Sequence, residues 1–165
     1  MILTEDTHGA RFFRQLIVRL KDEGFLSRDV HTGSDRFGGP CNSKLMRQMK
    51  VIEGLRGYKS FIITADADGK PLEKVSSRIR IHVPPNLVDK TKIVIFKDEI
   101  EEWICRSFGI KINSKPSTIL KNKFGYEKFR LPDYVPKLDF AKLSTMKSYQ
   151  AFIKQLKDCV SCRNL

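Results

Sequence analysis

The chain has no apolar run approaching the ~20 residues that a helix needs to cross a bilayer. Its start is acidic and strand-like, unlike the basic region and apolar stretch of a secretory signal. The expectation is a soluble, cytoplasmic protein. Cysteine is scarce: of Cys41, Cys105, Cys159 and Cys162, only the last two are close in sequence, and no histidine lies within thirty residues of them. A zinc site of the usual kind would want a second pair, so the Cys159/Cys162 spacing is open to a redox or metal role or to a plain helix end. A chain of 165 residues is long enough to bury a core without disulfide staples. The Gly-Ser-Asp-Arg-Phe-Gly-Gly-Pro loop at residues 33–40 lacks the lysine and hydroxyl of a P-loop. It could hold phosphate through backbone N–H groups or be an ordinary turn. Internal repeats and low-complexity tracts are absent.

Acid is also scarce in the last third. Between Lys111 and Lys157 eleven Lys or Arg face only Glu127, Asp133 and Asp139, so +8 of the formal charge of +12 sits there. An excess of this size concerns partners and solubility rather than fold. It suits the sequence-independent phosphate contacts of nucleic-acid binding, and the bland alternative is a solvated surface.

What is present has the balance of one globular domain, 41% hydrophobic and 30% charged. Residues 1–4 read as a strand ending at Glu5. Phe13, Leu16, Ile17 and Leu20 then fall at i, i+3, i+4 and i+7, the stripe of a helix that Gly24 would stop. Residues 29–33 read as a weak second strand, and a helix from about Cys41 to Leu55 carries Leu45, Met49, Ile52 and Leu55. Residues 58–65 are the most strand-like run, continuous enough to be buried on both faces of a parallel sheet. A helix over residues 71–81, a fourth strand at residues 93–96 and a helix over residues 98–108 containing Trp103 follow. Trp103 reads as core. The alternation predicts a doubly wound α/β domain over residues 1–108, of about four mainly parallel strands flanked by helices. Residues 109–165 read as a basic helical extension packed on the same core, broken at Gly125 and made irregular by Pro132 and Pro136.

In open parallel sheets, ligands bind outside the carboxyl ends of the strands. Glu5 follows the first strand, Asp66 and Asp68 the third, and Asp98, Glu99, Glu101 and Glu102 the fourth. Hard carboxylate oxygens suit Mg²⁺, which is commonly held by one or two carboxylates with water and phosphate. Asp-Ala-Asp-Gly is not an EF-hand loop, because position six counted from Asp66 is Pro71 rather than glycine. A purely structural turn is the competing reading. Around the acids, Arg11, Lys70, Lys121, Lys123, Lys128 and Arg130 are candidate phosphate contacts. Phe124, Tyr126 and Phe129 lie among them, a pattern that serves either base stacking or a small satellite core. His8, next to Glu5, is a candidate phosphate contact or a surface residue at a helix start.

A glutamate straight after strand one, a helix, and Asp-x-Asp-Gly straight after an apolar strand some sixty residues on resemble the TOPRIM domain of topoisomerases, bacterial primases and overcoming-lysogenization-defect nucleases. The segment from Glu99 to Ile104, Lys115-Pro116 and the Tyr126-Glu127-Lys128 step are similar to the tail of small stand-alone TOPRIM proteins related to the nuclease branch. The resemblance implies a Rossmann-like TOPRIM fold in which Glu5, Asp66 and Asp68 hold Mg²⁺ or Mn²⁺ and carry any catalysis. It implies a further metal ligand at Glu99 or Glu102 and a phosphate contact at Lys128. Asp6 stands where the family usually has glycine, which bears on how closely the backbone approaches at that turn. The function implied is binding of DNA or RNA, with metal-dependent phosphodiester cleavage as the candidate activity. The alternative is a non-catalytic binding module or a scaffold in a nucleic-acid-processing complex, and a homodimer is a further candidate assembly.

Overall fold

Four short runs of β-forming residues pair in parallel, in the spatial order β2-β1-β3-β4. The strands are β1 (Ile2–Thr4), β2 (Ser34–Arg36), β3 (Phe61–Asp66) and β4 (Thr91–Phe96). The computed structural model describes residues 1–38, 44–58 and 60–161, without the side chains of residues 159–161. The beginning of the second helix near Cys41, the end of the glycine loop and the Cys159/Cys162 pair lie outside the described residues.

Successive side chains of a strand point to opposite faces. Ile2, Ile62, Val94 and Phe96 accordingly enter one apolar cluster, while Leu3, Phe61, Ile63 and Ala65 enter another. Helices cover both faces, as an all-parallel sheet requires. On the first face lies α1 (Thr7–Asp22), buried through Phe12, Phe13, Leu16, Ile17 and Leu20. On the second lie α2 (Lys44–Arg56) and α3 (Leu72–Arg80), through Leu45, Met49, Ile52, Val75 and Ile79. The architecture is a Rossmann-like α/β sandwich.

The C-terminal part is built into the first face. It comprises α4 (Glu102–Ser107), α5 (Pro116–Phe124), a 3₁₀ segment (Lys128–Lys137), α6 (Phe140–Leu143) and α7 (Lys147–Ser161). Trp103 is the hub of this packing. Fully buried, its ring lies 5.1 Å from Phe96, 5.2 Å from Tyr149 and 5.6 Å from Phe152, and its Nε1 donates to Ser148 Oγ at 3.0 Å. Ser148 in turn donates to Glu102 Oε1 at 2.6 Å, so α7 is tied to α4 by a polar relay as well as by apolar burial.

The second strand is displaced from its sequence reading. Residues 29–33 are not a strand; β2 is the polar Ser34-Asp35-Arg36, held against β1 from Ile2↔Ser34 to Thr4↔Arg36. Val30 is buried from within a loop, which is why the apolar pattern there misleads. Leu55 is exposed rather than part of the α2 stripe. No helix among the described residues is long and apolar enough to cross a membrane.

Candidate functional site

The chain leaves β1 toward β2 on one side and returns to β3 on the other, so the carboxyl ends of β1 and β3 flank the topological switch point. Glu5 is the first residue past β1 and Asp66 the last of β3. Asp66 shares its face with Ile62 and Thr64, two and four residues back. That face is the one covered by α1 and the C-terminal segments. A cleft of about 20 Å³, room for one water-sized occupant, is lined there by Glu5, Asp66, Thr4, Thr64, Phe96 and Lys128, among others.

The carboxyl groups of this cleft are not ordinary. Burial pushes Asp66 up to about 8; the Lys128 charge opposes this, and the Glu101, Glu5 and Glu99 carboxylates add to it. Burial is also the main cause at Glu5, which the neighbouring Asp68 and Asp6 charges help raise to about 7. Asp66 Oδ1 accepts the Ile100 N–H at 3.1 Å, which fixes its rotamer and pins the β4–α4 turn to the end of β3.

Asp68 stands differently. Lys70 N–H donates to Ala67 O at 2.9 Å, closing a β-turn whose two central residues both have positive φ, Asp68 at 49° and Gly69 at 73°. Asp and Gly are among the residues that tolerate this conformation. The turn presents Asp68 outward, where Lys115 Nζ pairs with it at 3.0 Å and with Glu99 at 3.1 Å. These two carboxylates hold the Lys115 ammonium above its usual range. Asp68 remains electrostatically coupled to Glu5, and Asp66 to Glu5. Among the described residues no three His, Cys, Asp or Glu side chains converge as a ready-made metal cage.

The acids after β4 have other employment. Glu99 is buried, and its Oε2 accepts Ser117 N–H at 2.9 Å in the first turn of α5. Glu102 accepts from Ser148, as described above. Glu101, which the sequence did not single out, is fully buried at 0% exposure. It accepts the Tyr126 hydroxyl at 2.6 Å and pairs with Lys128 Nζ at 3.0 Å. Burial and the Glu101 carboxylate push the Tyr126 hydroxyl far up, so it stays protonated and donating. Burial works against the Lys128 charge, but Glu101, Asp66 and Asp6 together keep the ammonium above its ordinary value. Lys128 is thereby held in the cleft although it lies far from Glu5 and Asp66 in sequence. The hint in sequence is that Glu101 and Glu102 stand between Ile100 and Trp103, two residues that the core takes up, and a buried charge must find a partner.

Compared with protein-family models, curated proteins and solved structures, the chain matches none. The site therefore rests on its own geometry. Asp6 caps α1, accepting Gly9 N–H at 2.7 Å. The close backbone approach falls at Gly9 instead, where a Cβ would collide with Thr4 Oγ1. His8 is half-buried, and its Nδ1 has no hydrogen-bond partner among the described residues. Of the candidate phosphate contacts, Lys128 lines the cleft and Lys70 acts electrostatically on Glu5. Arg11, Lys121, Lys123 and Arg130 are exposed. Tyr126 is only 2% exposed and so is not a stacking surface.

Proposed function

We propose that this chain is a TOPRIM-type protein that binds Mg²⁺ or Mn²⁺ through Glu5, Asp66 and Asp68 and engages the phosphate backbone of nucleic acid beside them. The observation that carries the reading is the pair of half-buried carboxyl groups, Glu5 and Asp66, that line one cleft at the switch point together with Lys128; their partial burial raises both. Burying acids at the rim of a protein with a charge of +12 is costly, and it is offset when a cation binds them. The donor set fits a hard divalent ion: carboxylate oxygens only, from two adjacent strand ends. When bound, such an ion would supply charge stabilisation at a phosphate oxygen.

The chain's own residues supply the rest. Glu5 stands at the mouth of the first strand, where its carboxylate is placed to move a proton during phosphodiester cleavage. Lys128 brings a fixed positive charge to the wall of the cleft, and the basic C-terminal surface holds the flanking phosphates. The test is Mn²⁺ binding followed by electron paramagnetic resonance, together with a nuclease assay on single- and double-stranded DNA and RNA. Asp66→Asn with Asp68→Asn should abolish both signals; binding or turnover that survives the double substitution defeats the reading.

Lys115 is the natural competitor of the ion, because its ammonium already pairs with Asp68 and Glu99. Lys115→Met should tighten Mn²⁺ binding several-fold, while Glu99 keeps its bond to Ser117 N–H. An unchanged or weakened affinity would show that Asp68 is not a ligand. A non-catalytic binding module is the second reading, favoured by the structural engagement of Glu99 and Glu102, which are thereby less available to a second ion. It expects binding that falls steeply with salt and no turnover.

A further inference from the structure

We propose that the C-terminal segment selects single-stranded nucleic acid, stacking unpaired bases on Phe124 and Phe129 outside the acidic cleft; this rests on the nucleic-acid reading above and adds the strand state to it. Phe124 is 47% exposed, Phe129 61% and Phe108 42%. Phe108 and Phe124 are in ring contact at 5.6 Å, so they form one apolar surface rather than scattered side chains. Phe108 continues inward to Tyr134 at 6.1 Å, and Tyr134 to Tyr126 at 5.7 Å. Phe124 and Phe108 are thus backed by an aromatic ladder that ends at the hydroxyl held by Glu101.

The chain geometry sets the rings beside the cleft. Gly125, at a φ of 61°, ends α5 and turns the chain so that Phe124 stays outside while Tyr126 goes in. Two residues later Lys128 enters the cleft, and Phe129 returns to the surface. A strand lying over Phe129 would therefore carry its phosphate past Lys128.

Charge decides the kind of occupant. The rings sit in the stretch that carries +8 of the net charge, and among the described residues Lys123, the neighbour of Phe124, makes no ion pair. An apolar protein surface would have to accept that charge, whereas a polyanion with flat apolar faces is complementary to both features. In a duplex the bases are stacked on each other and their faces are closed to the protein. Only unpaired bases offer a free face, so the rings discriminate strand state while the lysines do not.

The experiment is fluorescence anisotropy of the full chain with three labelled probes of equal length: a thymidine oligonucleotide, an abasic phosphodiester and a duplex. The thymidine strand should bind about tenfold or more tightly than the abasic one. Phe124→Ala and Phe129→Ala should bring the thymidine affinity toward the abasic value with the salt slope unchanged, and Phe124→Trp should preserve it. Lys121→Gln with Lys123→Gln should weaken both single strands and flatten the salt slope. Equal affinity for thymidine and abasic strands, or duplex bound as tightly as thymidine, overturns the stacking proposal and leaves the phosphate-binding reading standing. Binding of none of the three overturns both. The thymidine and abasic comparison on the unaltered protein needs no variant to fold.

Discussion

Replacing Lys128 by methionine is expected to lower stability by about 3–5 kcal/mol, a fall in Tm on the order of 10 °C for a domain of this size. The substitution removes the ammonium that lies 3.0 Å from Glu101, a carboxylate with no solvent exposure. Among the described residues the Tyr126 hydroxyl would then be its one remaining hydrogen-bond partner. The penalty is mostly that of an abandoned buried charge rather than the net worth of the pair, so adding Glu101→Gln should restore a large part of the loss. Chemical denaturation of the two single variants and the double variant measures this directly. A loss below about 1 kcal/mol for Lys128→Met would mean that water reaches Glu101 and that the pair behaves as a surface bridge. The double variant also separates two roles that the single one confounds. With the fold restored and the cleft cation gone, nucleic-acid binding should remain weakened if Lys128 is a phosphate contact.

The elements that carry one strong pattern were legible in the sequence. Phe61, Ile62 and Ile63 announce a central strand because both faces of a parallel strand are buried, and Asp66 follows at its end. The spacing of Phe13, Leu16, Ile17 and Leu20 gives α1, and with it Glu5 at the preceding strand end. β2 was not legible in place, because a three-residue edge strand of Ser-Asp-Arg has no apolar alternation and is defined by its partner alone. Nor was the shorter α4: the turn before it is set by Ile100 N–H reaching Asp66, a contact across 34 residues.

The site was legible at the level of which strand ends bear acids, and illegible in how those acids are used. In sequence Glu101 is one of four acids after the fourth strand, and Tyr126 one of a set of aromatics open to base stacking or to a satellite core. Their mutual hydrogen bond, with Lys128 added, assigns Tyr126 to the core and places a cation in the cleft. Asp68 reads as one of the three principal ligands and Glu99 as a further one, yet Lys115 bridges the two. Such pairings depend on how the C-terminal segments dock on the first face of the sheet, and no local periodicity encodes that docking.

The unliganded protein should become less stable as pH rises, against the usual behaviour of paired carboxylates. Asp66 is raised to about 8 and Glu5 to about 7, both chiefly by burial. Between the unfolded value near 4 and these folded values, the folded chain binds more protons than the unfolded one, so unfolding free energy falls through that window and levels off above about pH 8. For Asp66 the loss is on the order of a few kcal/mol, moderated by the Lys128 charge that faces it and increased by Glu101, Glu5 and Glu99. Calorimetry at about pH 5.5 and about pH 8.5 should therefore give the higher Tm at the lower pH. Asp66→Asn, which has no charge to bury, should raise stability at the higher pH and flatten the profile. Millimolar Mg²⁺ should act in the opposite sense to alkali: it binds the deprotonated groups, so its stabilisation of the unaltered chain should grow as the carboxyls ionise and vanish in Asp66→Asn. A wild-type Tm that is flat or rising across this range, or a Mg²⁺ effect that persists without the Asp66 carboxylate, would remove the switch-point acids as the cation's binding place.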